Sequence, residues 1–190
     1  MADPQAAVCF TVSDLERFPD DDLLRYEIID GELFVSKAPH YRHQNSGNLC
    51  ANALTNWNAE TGLGMVLPGI GLIFSEYDAV IPDLVWVSRE RLERLADEAG
   101  HLLGAPELVV EVLSPGAANL RRDLDAKLKL YSTRGVDEYW IVDWRLETVA
   151  VYRRQRARLR LVSTLSYEDT LTSPLLPGFA LPIAQLFPRD

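Results

Sequence analysis

The period of the apolar positions changes several times along the chain, and each change marks an element. Tyr26-Glu27-Ile28-Ile29 and Glu32-Leu33-Phe34-Val35 flank Asp30-Gly31, a pair that favours a type I′ hairpin. After Pro39, residues 41–60 contain no proline, and 100° steps put His43, Gly47, Cys50, Leu54 and Trp57 on one stripe of a helix closed by Gly62 and Gly64. Strand-like runs follow at 65–74, 80–87 and 107–113, with a polar helical stretch at 89–99. A second helix is predicted over 119–134, ending before Gly135, then strands at 138–143, 148–152 and 158–162. Near the start, Ser13 and Glu16 have capping-box spacing for a short helix over 13–18, which Pro19 and the acidic run Asp20, Asp21, Asp22 break. A tail rich in leucine and proline is expected to wrap the domain. The class is mixed α/β, with an arm and short helix over 1–22 and a single domain over 23–190.

Composition narrows this little. A chain of 190 residues is one ordinary domain, and 47% hydrophobic with 25% charged residues is globular. The net charge of −9 argues against a protein that coats nucleic acid by bulk charge, but not against a local basic groove. Two cysteines, Cys9 and Cys50, both in surroundings that read as buried, are too few for a disulfide framework and suggest a reduced, cytoplasmic protein. No signal-like segment and no apolar stretch of about 18 residues occurs, so no secretion signal or membrane span is expected.

Charged residues in apolar runs carry the chemistry. Asp83 lies within Val80-Ile81-Pro82-Asp83-Leu84-Val85-Trp86-Val87, and Glu111 within Leu108-Val109-Val110-Glu111-Val112-Leu113. Runs apolar on both faces read as central strands, and a carboxylate there must be paired, protonated or metal-bound. A salt bridge would account for either acid alone; two on neighbouring strands favour a shared site. On the second helix Leu120, Leu124, Leu128 and Tyr131 form an apolar stripe with Lys127 at its centre, and Arg121, Arg122, Asp125 and Lys129 take the wet side. A lysine there can snorkel outward, but beside two buried acids it fits a charge cluster. Asp123 either joins that cluster or serves the helix's first turn. His43 shares the inner stripe of its helix, where a satisfied core histidine is the bland reading. Glu32 reads from the pattern alone as a surface strand residue. The arginines from Arg153 to Arg160 alternate at strand period, as a solvated face or a phosphate-facing stripe. Phosphate-binding glycine loops, Cys-x-x-Cys or His-x-x-x-His zinc spacings, and a Gly-x-Ser-x-Gly elbow around Ser114 are absent from the sequence.

Pro82-Asp83, then Glu111-Val112-Leu113, then a helix bearing Lys127 is similar to the PD-(D/E)XK nuclease core. More closely, the chain resembles a bacterial restriction-endonuclease family formerly grouped as a domain of unknown function. The stretches that carry this are Tyr26 to Leu33, Arg42-His43-Gln44, Pro82 to Val85, Ala105 to Pro115, Arg122-Asp123-Leu124 with Lys127 to Tyr131, Gly135 to Asp143, and Ser173 to Gly178. One departure is that Leu113 stands where the superfamily usually has its lysine; the resemblance implies that Lys127, on the following helix, takes its place. The resemblance implies a restriction-endonuclease-like core, a mixed central sheet flanked by helices with an N-terminal hairpin. It implies a Mg²⁺-dependent endonuclease, Mn²⁺ substituting, with Asp83, Glu111 and the Val112 carbonyl on the metal. Lys127 would orient the attacking water or stabilise the pentavalent charge, with Glu32 and His43 as supporting groups. The implied partner is nucleic acid, DNA first, cut by a homodimer. The alternatives are a non-catalytic nucleic-acid-binding or interaction module that kept the fold, and a hydrolase of a smaller phosphoester.

Overall fold

The structure is a computed structural model that describes residues 8–19 and 23–188. It opens with one helical turn, α1 (Val12–Leu15), where the Thr11 amide and hydroxyl both donate to the Asp14 carboxylate. The helix is shorter than predicted, and its cap is Thr11 with Asp14 rather than Ser13 with Glu16. The expected break at Asp20, Asp21 and Asp22 lies outside the described residues. Strands β1 (Leu24–Ile29) and β2 (Glu32–Lys37) form the hairpin, with φ +52° at Asp30 and +74° at Gly31 giving its type I′ turn. Helix α2 (Tyr41–Thr61) buries His43, Ser46, Cys50, Leu54 and Trp57 and ends at left-handed Gly62.

Two predicted strands are each split. The run at 65–74 becomes β3 (Gly64–Pro68) and β4 (Leu72–Ser75), divided at Gly69, whose φ is +62°. The run at 80–87 becomes β5 (Asp78–Val80) and β6 (Leu84–Ser88). Pro82 has no N–H for a ladder, and between β5 and β6 the chain crosses from one sheet to another. Asp83 therefore sits in the crossing, immediately before its strand.

Helix α3 (Arg89–Leu95) is shorter than expected and leads to β7 (Leu108–Val112). The predicted straight helix over 119–134 is α4 (Ala117–Arg121), a π-helical turn (Arg122–Ala126) and α5 (Lys127–Arg134). Strands β8 (Glu138–Asp143), β9 (Thr148–Gln155) and β10 (Arg158–Leu165) form the meander, and the tail adds a small ribbon of β11 (Thr170–Thr172) and β12 (Ala180–Pro182).

The central sheet runs β10-β9-β8-β7-β6-β3, with β7 and β8 parallel and the other neighbours antiparallel. The hairpin belongs to a smaller sheet ordered β2-β1-β5-β4. Alternate residues of the central strands feed two cores. Leu108, Val110, Val112, Trp140 and Val142 face α2 and the wrapping tail, which buries Leu171, Leu176, Phe179 and Leu186. Val85, Val87, Val109, Tyr139 and Ile141 pack with Leu130 and Tyr131 of α5 and with Ile29, Leu72 and Val80 of the smaller sheet. Among the described residues, no helix is long and apolar enough to cross a membrane. Cys9 is exposed, against the expectation of burial; burial pushes the Cys50 thiol up to about 12.

At the start of β3, Gly64 lies against β6, and a Cβ there would collide with the Val87 carbonyl oxygen and the Trp86 ring. Both of its backbone groups bond the Asn58 side chain, so the segment cannot retreat. Gly64→Ala is expected to cost about 1–3 kcal/mol and lower Tm by roughly 3–10 °C in a thermal melt. A Tm within a degree of wild type would show that the edge strand yields freely.

Candidate active site

The crossing and the central pair bring two acids together. β6 and β7 pair with Leu84 opposite Val110 and Val85 opposite Val109, so one further step sets Asp83 opposite Glu111. Both lie on the face that packs against α5. Asp83 Oδ2 accepts the Val112 amide N–H at 2.9 Å, and Asp83 Oδ1 lies 3.4 Å from Arg25 Nη1 of β1. His43 Nε2, from the inner stripe of α2, is 3.3 Å from Asp83 Oδ2, while its Nδ1 is buried with no hydrogen-bond partner among the described residues. Val112 thus meets Asp83 through its N–H.

Glu111 Oε1 accepts from Lys127 Nζ at 2.8 Å and from the Tyr131 hydroxyl at 2.9 Å. The same ammonium lies 2.8 Å from Glu27 Oε1, which also accepts the Ile81 amide of the crossing. Lys127 is 1% exposed, so this pairing is made out of water. Arg122 reaches Glu27 Oε2 at 3.7 Å and donates from Nε to Asp123 Oδ1 at 2.7 Å. Glu27, His43, Asp83, Glu111 and Arg122 all line one open cleft of about 610 Å³.

Four carboxylates, on Glu27, Asp83, Glu111 and Asp123, thus face the three cations of Arg25, Arg122 and Lys127. Burial pushes Glu111 up to about 8; the Lys127 charge opposes this, and the charges of Asp83, Asp123 and Glu27 reinforce it. Burial also works against the Asp83 carboxylate, but the His43 ring, the Val112 amide and the Lys127 charge outweigh it and bring Asp83 to about 2. Lys127 stays above the ordinary lysine range because the acids around it overcome its desolvation. Two carboxylates share one ammonium, and Glu111 is the acid left short of positive charge.

The structure brings together four of the five candidate side chains: Asp83, Glu111, Lys127 and His43. It leaves out Glu32, which is 58% exposed and lies 3.7 Å from Arg121 on the far side of the hairpin turn. The hairpin contributes Glu27 instead, because side chains alternate along β1 and the Glu27 position faces inward. The signal was present: Glu27 is an acid between apolar neighbours, as Glu111 is. Arg122 is buried, against its expected place on the wet side, and Leu124 is 37% exposed where the stripe needed it inside. The π-helical turn explains both, since the Lys127 amide donates to the Arg122 carbonyl and the extra residue shifts the helical phase. Asp123 joins the cluster through Arg122. Arg25, which no local sequence pattern linked to Asp83, reaches it across sheets.

The arginine stripe divides. Arg153 pairs with Glu138, and Arg154 donates to the carbonyls of Tyr131, Ser132 and Val136 at the end of α5. Arg156, Arg158 and Arg160 are exposed. The ladder sets Arg160 beside Arg153, Arg153 beside Glu138 and Glu138 beside Leu108, three residues along β7 from Glu111 and three strands away. The stripe lies apart from the cleft.

This architecture is a restriction-endonuclease-like fold. A family model described as "Putative restriction endonuclease" (Uma2) matches residues 12–184, and the chain belongs to that family. No curated protein matches it. A crystal structure of a "putative nuclease belonging to DUF820" from Anabaena variabilis is similar in fold, with TM-score 0.74 and 18% identity over 94% of this chain and 97% of that one. The type IIG restriction endonuclease BpuSI aligns with TM-score 0.39 and 13% identity, over 65% of this chain and 14% of that enzyme, which is too weak to carry an argument. The family is of nuclease type.

The acids give stability a pH dependence. Folded Glu111, at about 8, holds its proton more tightly than an ordinary glutamate carboxyl at 4.5, so the fold loses stability as pH rises through that interval. Asp83, at about 2, acts oppositely: its contribution is present above 3.8 and lost as pH falls toward 2. In EDTA, the Tm of wild type minus that of Glu111→Gln is expected to fall steadily between pH 5 and 8.5. A difference that stays flat would contradict the buried, charge-poor setting of Glu111.

Proposed function

We propose that the protein is a divalent-metal-dependent endonuclease that hydrolyses phosphodiester bonds of nucleic acid, with DNA as substrate. The observation that supports this most is the meeting of Asp83 and Glu111 across paired strands, beside a buried ammonium, in a chain of a nuclease-type family.

Hard carboxylate oxygens suit Mg²⁺, with Mn²⁺ as a substitute. Among the described residues no three His, Cys, Asp or Glu side chains converge as a ready-made cage. Mg²⁺ needs none, since one or two carboxylates commonly hold it while water and substrate phosphate complete the shell. The shortage of positive charge around Glu111 also fits a cation. Asp83 and Glu111 would hold the ion, with the Val112 carbonyl as the backbone donor expected from the family resemblance. When bound, the ion supplies polarisation of a phosphate oxygen and a lower pKa for the attacking water.

The chain's own groups do the rest. His43 and the Val112 amide hold Asp83 in one orientation. Lys127 keeps Glu111 aligned and offers an N–H to the attacking water or to a phosphoryl oxygen as charge develops. Arg25 and Lys37 on the cleft wall would meet the backbone phosphates. In this reading Glu32, exposed and 3.7 Å from Arg121, is given no role. Cutting both strands of a duplex takes two such sites, and the proposal includes a homodimer.

Supercoiled plasmid is incubated with the protein in Mg²⁺, Mn²⁺ or EDTA, beside Asp83→Ala. Nicking or linearisation by wild type with metal alone is expected, and Asp83→Ala should lose at least about a hundredfold in rate. Cleavage that persists in Asp83→Ala would remove the site. No cleavage under any condition, with nucleic-acid binding retained, would identify a non-catalytic binding module.

A further inference from the structure

A second open cleft, of about 770 Å³, flanks the first turns of α2, and Gln44 stands on the walls of both clefts. Aromatic rings form one of its sides. The His40 and Trp144 rings lie parallel with centroids 4.9 Å apart, and Tyr41 sits 4.5 Å from His40. Tyr41 is 70% exposed, so its ring adds little to the folded core. Arg42 lies 6.0 Å from the Tyr41 ring centre and donates to its hydroxyl. Gln44, Asn45 and Asn48 also line this cleft, and each amide can both donate and accept.

The aromatic wall is fastened to the candidate site. The Trp144 indole N–H donates to the Leu113 carbonyl at 3.1 Å, two residues beyond Glu111. Tyr41 stands two residues before His43 on the same helix, and His43 Nε2 lies 3.3 Å from Asp83 Oδ2. Arg42 and Glu147 both line the second cleft, so it lacks the concentrated positive charge that grips a duplex backbone. The exposed Tyr41 ring and the half-buried Trp144 ring, beside amides and one guanidinium, instead suit planar bases, whose faces stack and whose edges need donors and acceptors.

We propose that this cleft receives the unpaired bases of a single strand next to the bond to be cut, so that single-stranded or frayed nucleic acid is preferred over blunt duplex. The inference rests on the endonuclease reading for its link to cleavage, but base binding can be tested without cleavage. Trp144 provides the reporter, since Trp57, Trp86 and Trp140 are all buried.

Full-length protein in EDTA is titrated with a labelled oligothymidylate of about a dozen nucleotides and with a blunt duplex of the same length. Anisotropy and tryptophan fluorescence are both read. The single strand is expected to bind more tightly and to quench fluorescence in wild type, but not in Trp144→Phe. Tyr41→Ala should weaken single-strand binding about tenfold, the scale of one lost base stack, and change duplex binding less than about twofold. Tyr41→Phe keeps the ring and should bind as wild type does. Equal single-strand affinity in wild type and Tyr41→Ala, or no single-strand binding by wild type, would overturn the inference. Binding through Tyr41 without cleavage in any metal would uphold this cleft while refuting the hydrolase. Metal-dependent cleavage with Tyr41→Ala binding unchanged would do the reverse.

Discussion

An ammonium with almost no access to water, shared by two carboxylates, is the constraint around which this structure is arranged. Lys127 Nζ reaches Glu27 from the hairpin sheet and Glu111 from the central sheet, each at 2.8 Å. One cation on α5 therefore ties three elements together. Ion pairs of this kind are a poor way to gain stability, because desolvation offsets most of the attraction and well-packed apolar residues often do as well. An apolar Lys127 would join Leu130 and Tyr131 without difficulty. A charged cluster on the wall of a cleft, in a chain of a nuclease-type family, is what the proposed chemistry would draw on.

Backbone and site are built by the same bonds. The chain leaves the smaller sheet after Val80 and enters the central one at Leu84, so Ile81, Pro82 and Asp83 have no ladder of their own. Glu27 accepts the Ile81 amide and Arg25 donates to the Ile81 carbonyl, which fixes the crossing from the hairpin side. Asp83 then accepts the Val112 amide and fixes it from the central side. Pro82 prevents a strand from forming here, and the freed residue, Asp83, puts its acid on the cleft wall. The π-helical turn does comparable work in the helix, since Arg122 and Lys127 point inward together only when one extra residue is wound into the turn.

The periodic parts, and the acids that interrupt them, are legible in the sequence. The Asp-Gly hairpin, the stripe of α2 and the strands 107–113 and 138–143 follow from local pattern, and Asp83, Glu111 and Lys127 stood out as charges in apolar company. What is not legible there depends on departures from period or on distant pairing. Steps of 100° carry no sign of a π-helical turn and place Arg122 on the wrong face. A continuous apolar run hides a change of sheet, so 65–74 and 80–87 each read as one strand. Arg25 meets Asp83 only because two sheets cross, and no neighbour in sequence signals that. Glu27 meets the same criterion as Glu111, an acid between apolar neighbours, whereas Glu32 enters only through the family resemblance and reads from the pattern as the surface residue it is.

Lys127→Met separates chemistry from structure most directly. The apolar stripe by itself suggests a variant as stable as wild type, but the structure puts two carboxylates on the ammonium, so some loss in Tm is expected at pH 8 in EDTA. That loss should shrink at pH 6, where Glu111, held at about 8, takes up a proton. The decisive quantity is plasmid cleavage per folded molecule, with folded fraction read from the melt. The account predicts a fall of at least about a hundredfold, the cost of removing one donor that acts on developing charge. Activity per folded molecule equal to wild type, at any change in Tm, would reduce Lys127 to a counter-ion and contradict the account.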